Sequence, residues 1–124
     1  MNNYLLIAIG GALGSVSRYG CQRWLYALYP HPFPFGTFTV NISGCLLIGL
    51  LFGLAEKTTA MSPEWRSLLM VGFCGGFTTF SSFSLETLSL FKVGQPIFAL
   101  LYIFLSVIIG LLAVLFGEFL IRSL

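Results

Sequence analysis

Charge is what this chain most conspicuously lacks. Of its 124 residues only 8% are Asp, Glu, Lys or Arg, six basic against four acidic. Soluble domains hold about a quarter of their residues as charges. With 57% hydrophobic residues and a mean hydropathy of +0.96, the chain reads as a single all-α integral membrane domain over residues 1–124. A net charge of +2, thinly dispersed, gives no footprint for a nucleic-acid partner. Cysteine is scarce too. Cys21, Cys45 and Cys74 stand singly, without disulfide framework or metal-ligand spacing, and read as small apolar packing residues. The lone histidine, His31, falls in the extended linker Pro30-His31-Pro32-Phe33-Pro34 and is assigned no role. Paired acids, His–Cys clusters and nucleophile–base sets are missing, so no enzyme is expected. Met1-Asn2-Asn3 has no basic leader, and the first apolar run is of spanning length, so no cleaved signal is expected.

Apolar runs are what the chain has instead. A spanning helix needs about 20 mostly apolar residues. Four stretches fit: about Asn3 to Tyr29, Gly36 to Ala55, Trp65 to Phe91 and Gln95 to Ile121. Small residues suited to close helix contact recur in them, as Gly10-Gly11-Ala12-Leu13-Gly14 in the first and Gly49 with Gly53 in the second. Ser62 before Pro63 has the form of a helix N-cap. Trp65 and Arg66 stand where interface anchors belong. Glu118 and Arg122, four apart, are placed to pair.

The third stretch is interrupted. Gly72-Phe73-Cys74-Gly75-Gly76-Phe77-Thr78-Thr79 puts adjacent glycines and adjacent threonines in mid-span. Both residue types are poor in a helix interior. A helix break at membrane depth frees backbone groups that meet no water, and is tolerated where it is buried in protein or lines a wet cavity. The freed carbonyls or amides then suit an ion. Alternatively, Gly75 and Gly76 serve close helix packing. Beyond the break, Phe77, Phe80 and Phe83 share one side of a helix, with Ser81 and Ser84 in a row beside them. Ring edges carry partial positive charge, and Thr79 and serine hydroxyls donate hydrogen bonds, so a small anion can be held without a fixed cation. The same phenylalanines could equally form packed or lipid-facing surface.

Polar residues elsewhere in the spans are few. Arg18 lies well along the first, which favours a protein-facing or vestibule position over snorkelling. Thr37 and Asn41 share a face of the second; Asn41 either bridges helices or offers its amide to an anion. Glu86 lies near the end of the third span, hydrated or in a pore vestibule. Tyr102, Ser106 and Gly110 form a narrow polar line on the fourth. Lys57, Arg66 and Arg122 fall on one side of a four-span topology; Arg18, Arg23 and Lys92 are nearer the other. With three against three the positive-inside rule sets no orientation. Two oppositely oriented copies would form an inverted repeat about an axis in the membrane plane, where their two breaks could share an ion.

The runs Gly10-Gly11-Ala12-Leu13-Gly14 with Arg18-Tyr19, Gly36-Thr37-Phe38-Thr39-Val40-Asn41 with Gly44, and Gly72 through Glu86 resemble the Fluc (CrcB) family of fluoride channels across essentially the whole chain. The resemblance implies an antiparallel, dual-topology homodimer, multi-pass in the cell inner (plasma) membrane and bounded by lipid. It would let fluoride leave the cytoplasm down its electrochemical gradient. It further implies a structural sodium ion at the dimer axis, held by the backbone carbonyls of Gly75 and Thr78. The expected fluoride pathway takes in Asn41, Phe80 and Phe83, with Ser81, Thr79, Thr37, Tyr102 and Ser106 as polar lining; Arg18 and Glu86 match family positions of less defined role. Ser82 stands where many relatives have Thr, which keeps the hydroxyl. The competing readings are a proton-coupled exporter of the small four-helix, dual-topology type and a non-transporting assembly protein. The exporter calls for a carboxylate in the first span, and that span has neither Asp nor Glu.

Overall fold

The computed structural model describes residues 2–59 and 61–124. Met1, part of the leader reading above, and Ala60, in the second connector, lie outside the described residues. Helix α1 is Asn3–Leu28, with the Asn2 side chain accepting the Tyr4 N–H at 2.8 Å as its N-cap. Helix α2 is Phe35–Lys57 and leaves the proline linker at Pro34. The third span opens with the turn α3, Pro63–Trp65, where Ser62 caps the Trp65 N–H and Pro63 sits at the first helical position, as expected. It widens to π geometry over Arg66–Cys74 and returns to a single turn, α4, Gly75–Phe77. There it stops. Thr78 and Thr79 are extended, with ψ of 159° and 120°, before α5, Phe80–Lys92, resumes. Helix α6 is Pro96–Arg122, and the expected Arg122–Glu118 pair closes its far end at 2.9 Å.

Among the described residues three stretches are both long and apolar enough to cross a membrane: Phe35–Lys57, Pro63–Lys92 and Pro96–Arg122. Helix α1 has the length expected of the remaining span, 26 residues, with a lower hydropathy than these three. Arg18, Gln22, Arg23 and a run of glycines and serines dilute it. Large apolar side chains on α6, among them Ile97, Leu101, Phe104, Leu111 and Leu115, face outward. A soluble protein would bury such a surface; here it suits lipid.

The helices associate as two close pairs, α1 with the first half of the third span and α2 with α6. Glycine makes both contacts possible. A Cβ on Gly10 or Gly14 would overlap the backbone of Leu68 or Phe73, and one on Gly49 or Gly117 would overlap Val114 or Leu46. Backbones this close gain dispersion contacts that lipid tails cannot supply. At the end of the bundle beside the linker, Phe33 packs with Leu90, Ala99 and Tyr102, flanked by Phe38, Phe83 and Phe98. His31 helps to fix that linker, since its Nδ1 accepts the Phe33 N–H at 3.0 Å and its ring meets Phe98 edge-on.

The two glycines of the break have different jobs. A Cβ on Gly76 would lie 2.6 Å from the Gly11 carbonyl oxygen, whereas one on Gly75 meets nothing within 4 Å. Packing therefore explains Gly76 but not Gly75. Gly76→Ala is expected to destabilise the protein by about 1–3 kcal/mol through overpacking. Thermal denaturation in detergent checks this, with Gly75→Ala leaving the protomer's own packing intact.

Candidate functional site

The break is held open by one side chain. Asn41 of α2 accepts the Thr79 N–H on Oδ1 at 2.8 Å and donates from Nδ2 to the Thr79 carbonyl at 3.0 Å. In an unbroken helix the Thr79 N–H would donate to the Gly75 carbonyl. Asn41 takes that proton and so releases the Gly75 oxygen. Asn41 thus bridges helices, and one of its two amide protons is spent on doing so. On the other side of the break, Arg18 Nε donates to the Gly76 carbonyl at 3.0 Å. Thr78 folds back on the Cys74 carbonyl through both its N–H and its hydroxyl. Thr79 then caps α5 by accepting the Ser82 N–H at 3.1 Å, and its hydroxyl lies 3.3 Å from that of Ser81.

Beside the break is an open cleft of about 670 Å³, whose lining includes Asn41, Gly75, Thr78, Thr79, Phe80, Phe83 and Ser106. Its walls are mainly apolar side chains. Among the described residues the Ser106 hydroxyl is buried with no hydrogen-bond partner. Phe80 stands 79% exposed, and its ring lies 5.7 Å from that of Phe83. Phe83 in turn lies 5.0 Å from the ring of Tyr102, which is fully buried.

Tyr102 opens a second polar cluster around Glu86. Its hydroxyl donates to Oε1 at 3.3 Å. Thr37 donates to Oε2 at 3.0 Å, and Tyr26 donates to the same oxygen. Gln22 Nε2 donates to the Thr37 hydroxyl at 2.9 Å. A further cleft of about 460 Å³ reaches Glu86 from outside, bounded by Tyr26, His31, Pro32, Pro34, Ser89, Leu90 and Val93. The two polar clusters are linked by helix periodicity. On α2, Thr37 serves one and Asn41 the other; on α6, Tyr102 and Ser106 divide likewise; on α5, Glu86 and Phe83 do the same. A row of rings and hydroxyls therefore connects the two clefts.

The family model described as CrcB-like protein, Camphor Resistance (CrcB), matches residues 5–118, which contain every residue of both clusters. The chain belongs to the CrcB family. Among the relatives it resembles, one from Flavobacterium psychrophilum is 46% identical over 100% of both chains. Another, from Leptospira interrogans, is 44% identical over 96% of this chain and 94% of its own. A third, from Chlorobium phaeobacteroides, is 48% identical over 94% and 89%. Each of the three is named a fluoride-specific ion channel, FluC.

Of the residues singled out in this CrcB chain, Asn41, Thr79, Phe80, Phe83, Ser106, Gly75 and Thr78 meet at the first cleft, with Ser81 exposed beside Thr79. Thr37, Glu86 and Tyr102 form the second cluster. Arg18 joins neither. It is half-buried against α4, lines neither cleft and places its Nε on the Gly76 carbonyl. Gln22 and Tyr26 were not anticipated. They lie four apart, at the C-terminal side of Arg18, and that spacing of two polar side chains on one helix face was the available signal.

Proposed function

We propose that this chain is a channel that passes fluoride out of the cytoplasm through the inner membrane, down its electrochemical gradient. Its relatives' names support a channel and not an enzyme. The observation that carries the reading is the row from the Asn41–Thr79 break, past Phe80, Phe83 and Tyr102, to Glu86, with an open cleft at each end. Fluoride is small and strongly hydrated, so a pathway must replace its water with donors. The hydroxyls of Thr79, Ser81 and Ser106 and the second amide proton of Asn41 supply them, with ring edges between, while Thr37 and Tyr102 line the row with their protons turned to Glu86. Among the described residues no Lys or Arg lines either cleft, so none of them is there to trap the ion. Conduction needs binding firm enough to admit an ion and weak enough to release it.

The reading extends to an antiparallel homodimer of mixed orientation. The near balance of positive charge between the two sides supports it, as does an open, apolar-walled cleft at the break that a second copy could cover. A structural sodium at the axis would be held by the carbonyls of Gly75 and Thr78. Gly75 fits that role: it faces open space, and its oxygen has lost the Thr79 N–H to Asn41. Carbonyl oxygens suit a hard cation. The ion would supply a fixed positive charge at the centre of the assembly.

Purified protein reconstituted in vesicles loaded with potassium fluoride, at equal pH on both sides, tests the function. Fluoride is expected to leave on addition of a potassium ionophore, and faster than chloride from matched vesicles. Efflux no greater than from protein-free vesicles, or efflux only under an imposed pH difference, would overturn it.

A further inference from the structure

His31, the single histidine of the chain, stands in the linker between α1 and α2 and lines the outer cleft together with Glu86 and Ser89. Three contacts hold its ring. Nδ1 accepts the Phe33 N–H at 3.0 Å, and the rings of Phe98 and Phe35 lie 5.3 and 5.6 Å away. The first contact also fixes the tautomer. A ring nitrogen that accepts a hydrogen bond carries no proton, so the imidazole in this arrangement is neutral and its N–H is on Nε2. Among the described residues nothing accepts that proton, and the Ser89 hydroxyl likewise has no hydrogen-bond partner.

Glu86 is the one charged residue among those lining this cleft. Its carboxylate repels an anion that arrives there. The Tyr26 hydroxyl at the same cleft donates to that carboxylate, as do Thr37 and Tyr102 behind it. Among the described lining residues, the His31 N–H and the Ser89 O–H are the side-chain donors that no protein acceptor holds. Water satisfies both while the cleft is empty of ions, and a small, strongly accepting anion can take its place. The imidazole ring is held beforehand, so little ordering is lost when it binds. A neutral N–H holds an anion less firmly than a guanidinium or ammonium does, which keeps release easy.

We propose that the outer cleft is a capture site for fluoride, with His31 donating from Nε2 and Ser89 as the second donor. The inference rests on the reading that fluoride passes this cleft. His31 then has two roles divided between its two nitrogens: Nδ1 staples the linker through Phe33, and Nε2 receives the ion.

The single histidine makes the test direct. In tag-free protein grown with isotopically labelled histidine, every imidazole nitrogen signal belongs to His31. Spectra are recorded in detergent at increasing potassium fluoride and, separately, potassium chloride. Initial fluoride flux against fluoride concentration is measured in reconstituted vesicles. The Nε2–H resonance is expected to move with fluoride over the range in which flux saturates, and to stay in place with chloride. His31→Phe keeps a ring and loses the donor. Losing one hydrogen bond to an ion predicts a rise of about tenfold in its half-saturating fluoride. Ser89→Ala removes an exposed hydroxyl that bonds to nothing in the protein, and a rise of about threefold is expected. His31→Asn supplies both an acceptor for the Phe33 N–H, in an Asx turn, and a donor, so it is expected to recover part of the loss seen in His31→Phe. A resonance that ignores fluoride while wild-type flux saturates would overturn the proposal and leave the channel reading standing. So would an equal shift with chloride, or wild-type half-saturation in both His31→Phe and Ser89→Ala. Absence of flux from the wild type would remove the channel reading itself, and the capture role with it.

Discussion

Asn41→Ala is expected to abolish fluoride flux, by at least about a hundredfold, and to lower the thermal stability of the purified protein. The side chain pairs with both backbone groups of Thr79. Removing it leaves a donor and an acceptor unpaired in a site with little water, at about 1–3 kcal/mol for each group. The chain has one way to relieve this. The Thr79 N–H can return to the Gly75 carbonyl and heal the helix, which removes both the released oxygen and the turn that aims Phe80. Asn41→Asp separates the two halves of the bond. It keeps an acceptor for the Thr79 N–H but sets an oxygen against the Thr79 carbonyl, so it too is expected to lose flux. Wild-type efflux from Asn41→Ala would show that the break does not depend on this clamp.

The second large effect is expected at the rings. Phe80→Ile and Phe83→Ile should each reduce fluoride flux by at least about tenfold, because an aliphatic side chain offers no positive edge to an anion. The two variants differ in what else they disturb. Phe80 is so exposed in the protomer that its replacement should change the protomer's stability by no more than about 0.5 kcal/mol. Phe83 packs against Tyr102 and flanks the core around Phe33, so Phe83→Ile also costs packing, on the order of 1 kcal/mol. Flux in vesicles, read beside melting temperature in detergent, distinguishes the two effects. Retained flux in a folded Phe80→Ile would remove the ring edge from the mechanism.

Much of the break was legible in the sequence. Two glycines and, one residue later, two threonines state locally that a helix will not continue, and the recurrence of Phe77, Phe80 and Phe83 every three residues marks that it resumes. The N-cap at Ser62 and the pair Glu118–Arg122 were readable for the same reason: their partners lie within one helical turn. Two readings of Gly75 and Gly76 stayed open, packing or ion, because a sequence does not say which neighbour a glycine faces. The structure divides them, with Gly76 against Gly11 and Gly75 facing space. Arg18 was legible as protein-facing but not as the partner of the Gly76 carbonyl, which is 58 residues distant.

Residence in a membrane, helical class and the interruption of the third span were determined by the sequence by itself, because each depends on hydropathy and backbone preference over a few adjacent residues. Which polar groups meet was decided only by the tertiary structure. Helices α2 and α6 are apolar on nearly every face, so periodicity leaves their rotation about their own axes unspecified. Close glycine contacts set that rotation, and it brings Asn41 to Thr79 and gathers Thr37, Tyr102, Tyr26 and, through Thr37, Gln22 around Glu86.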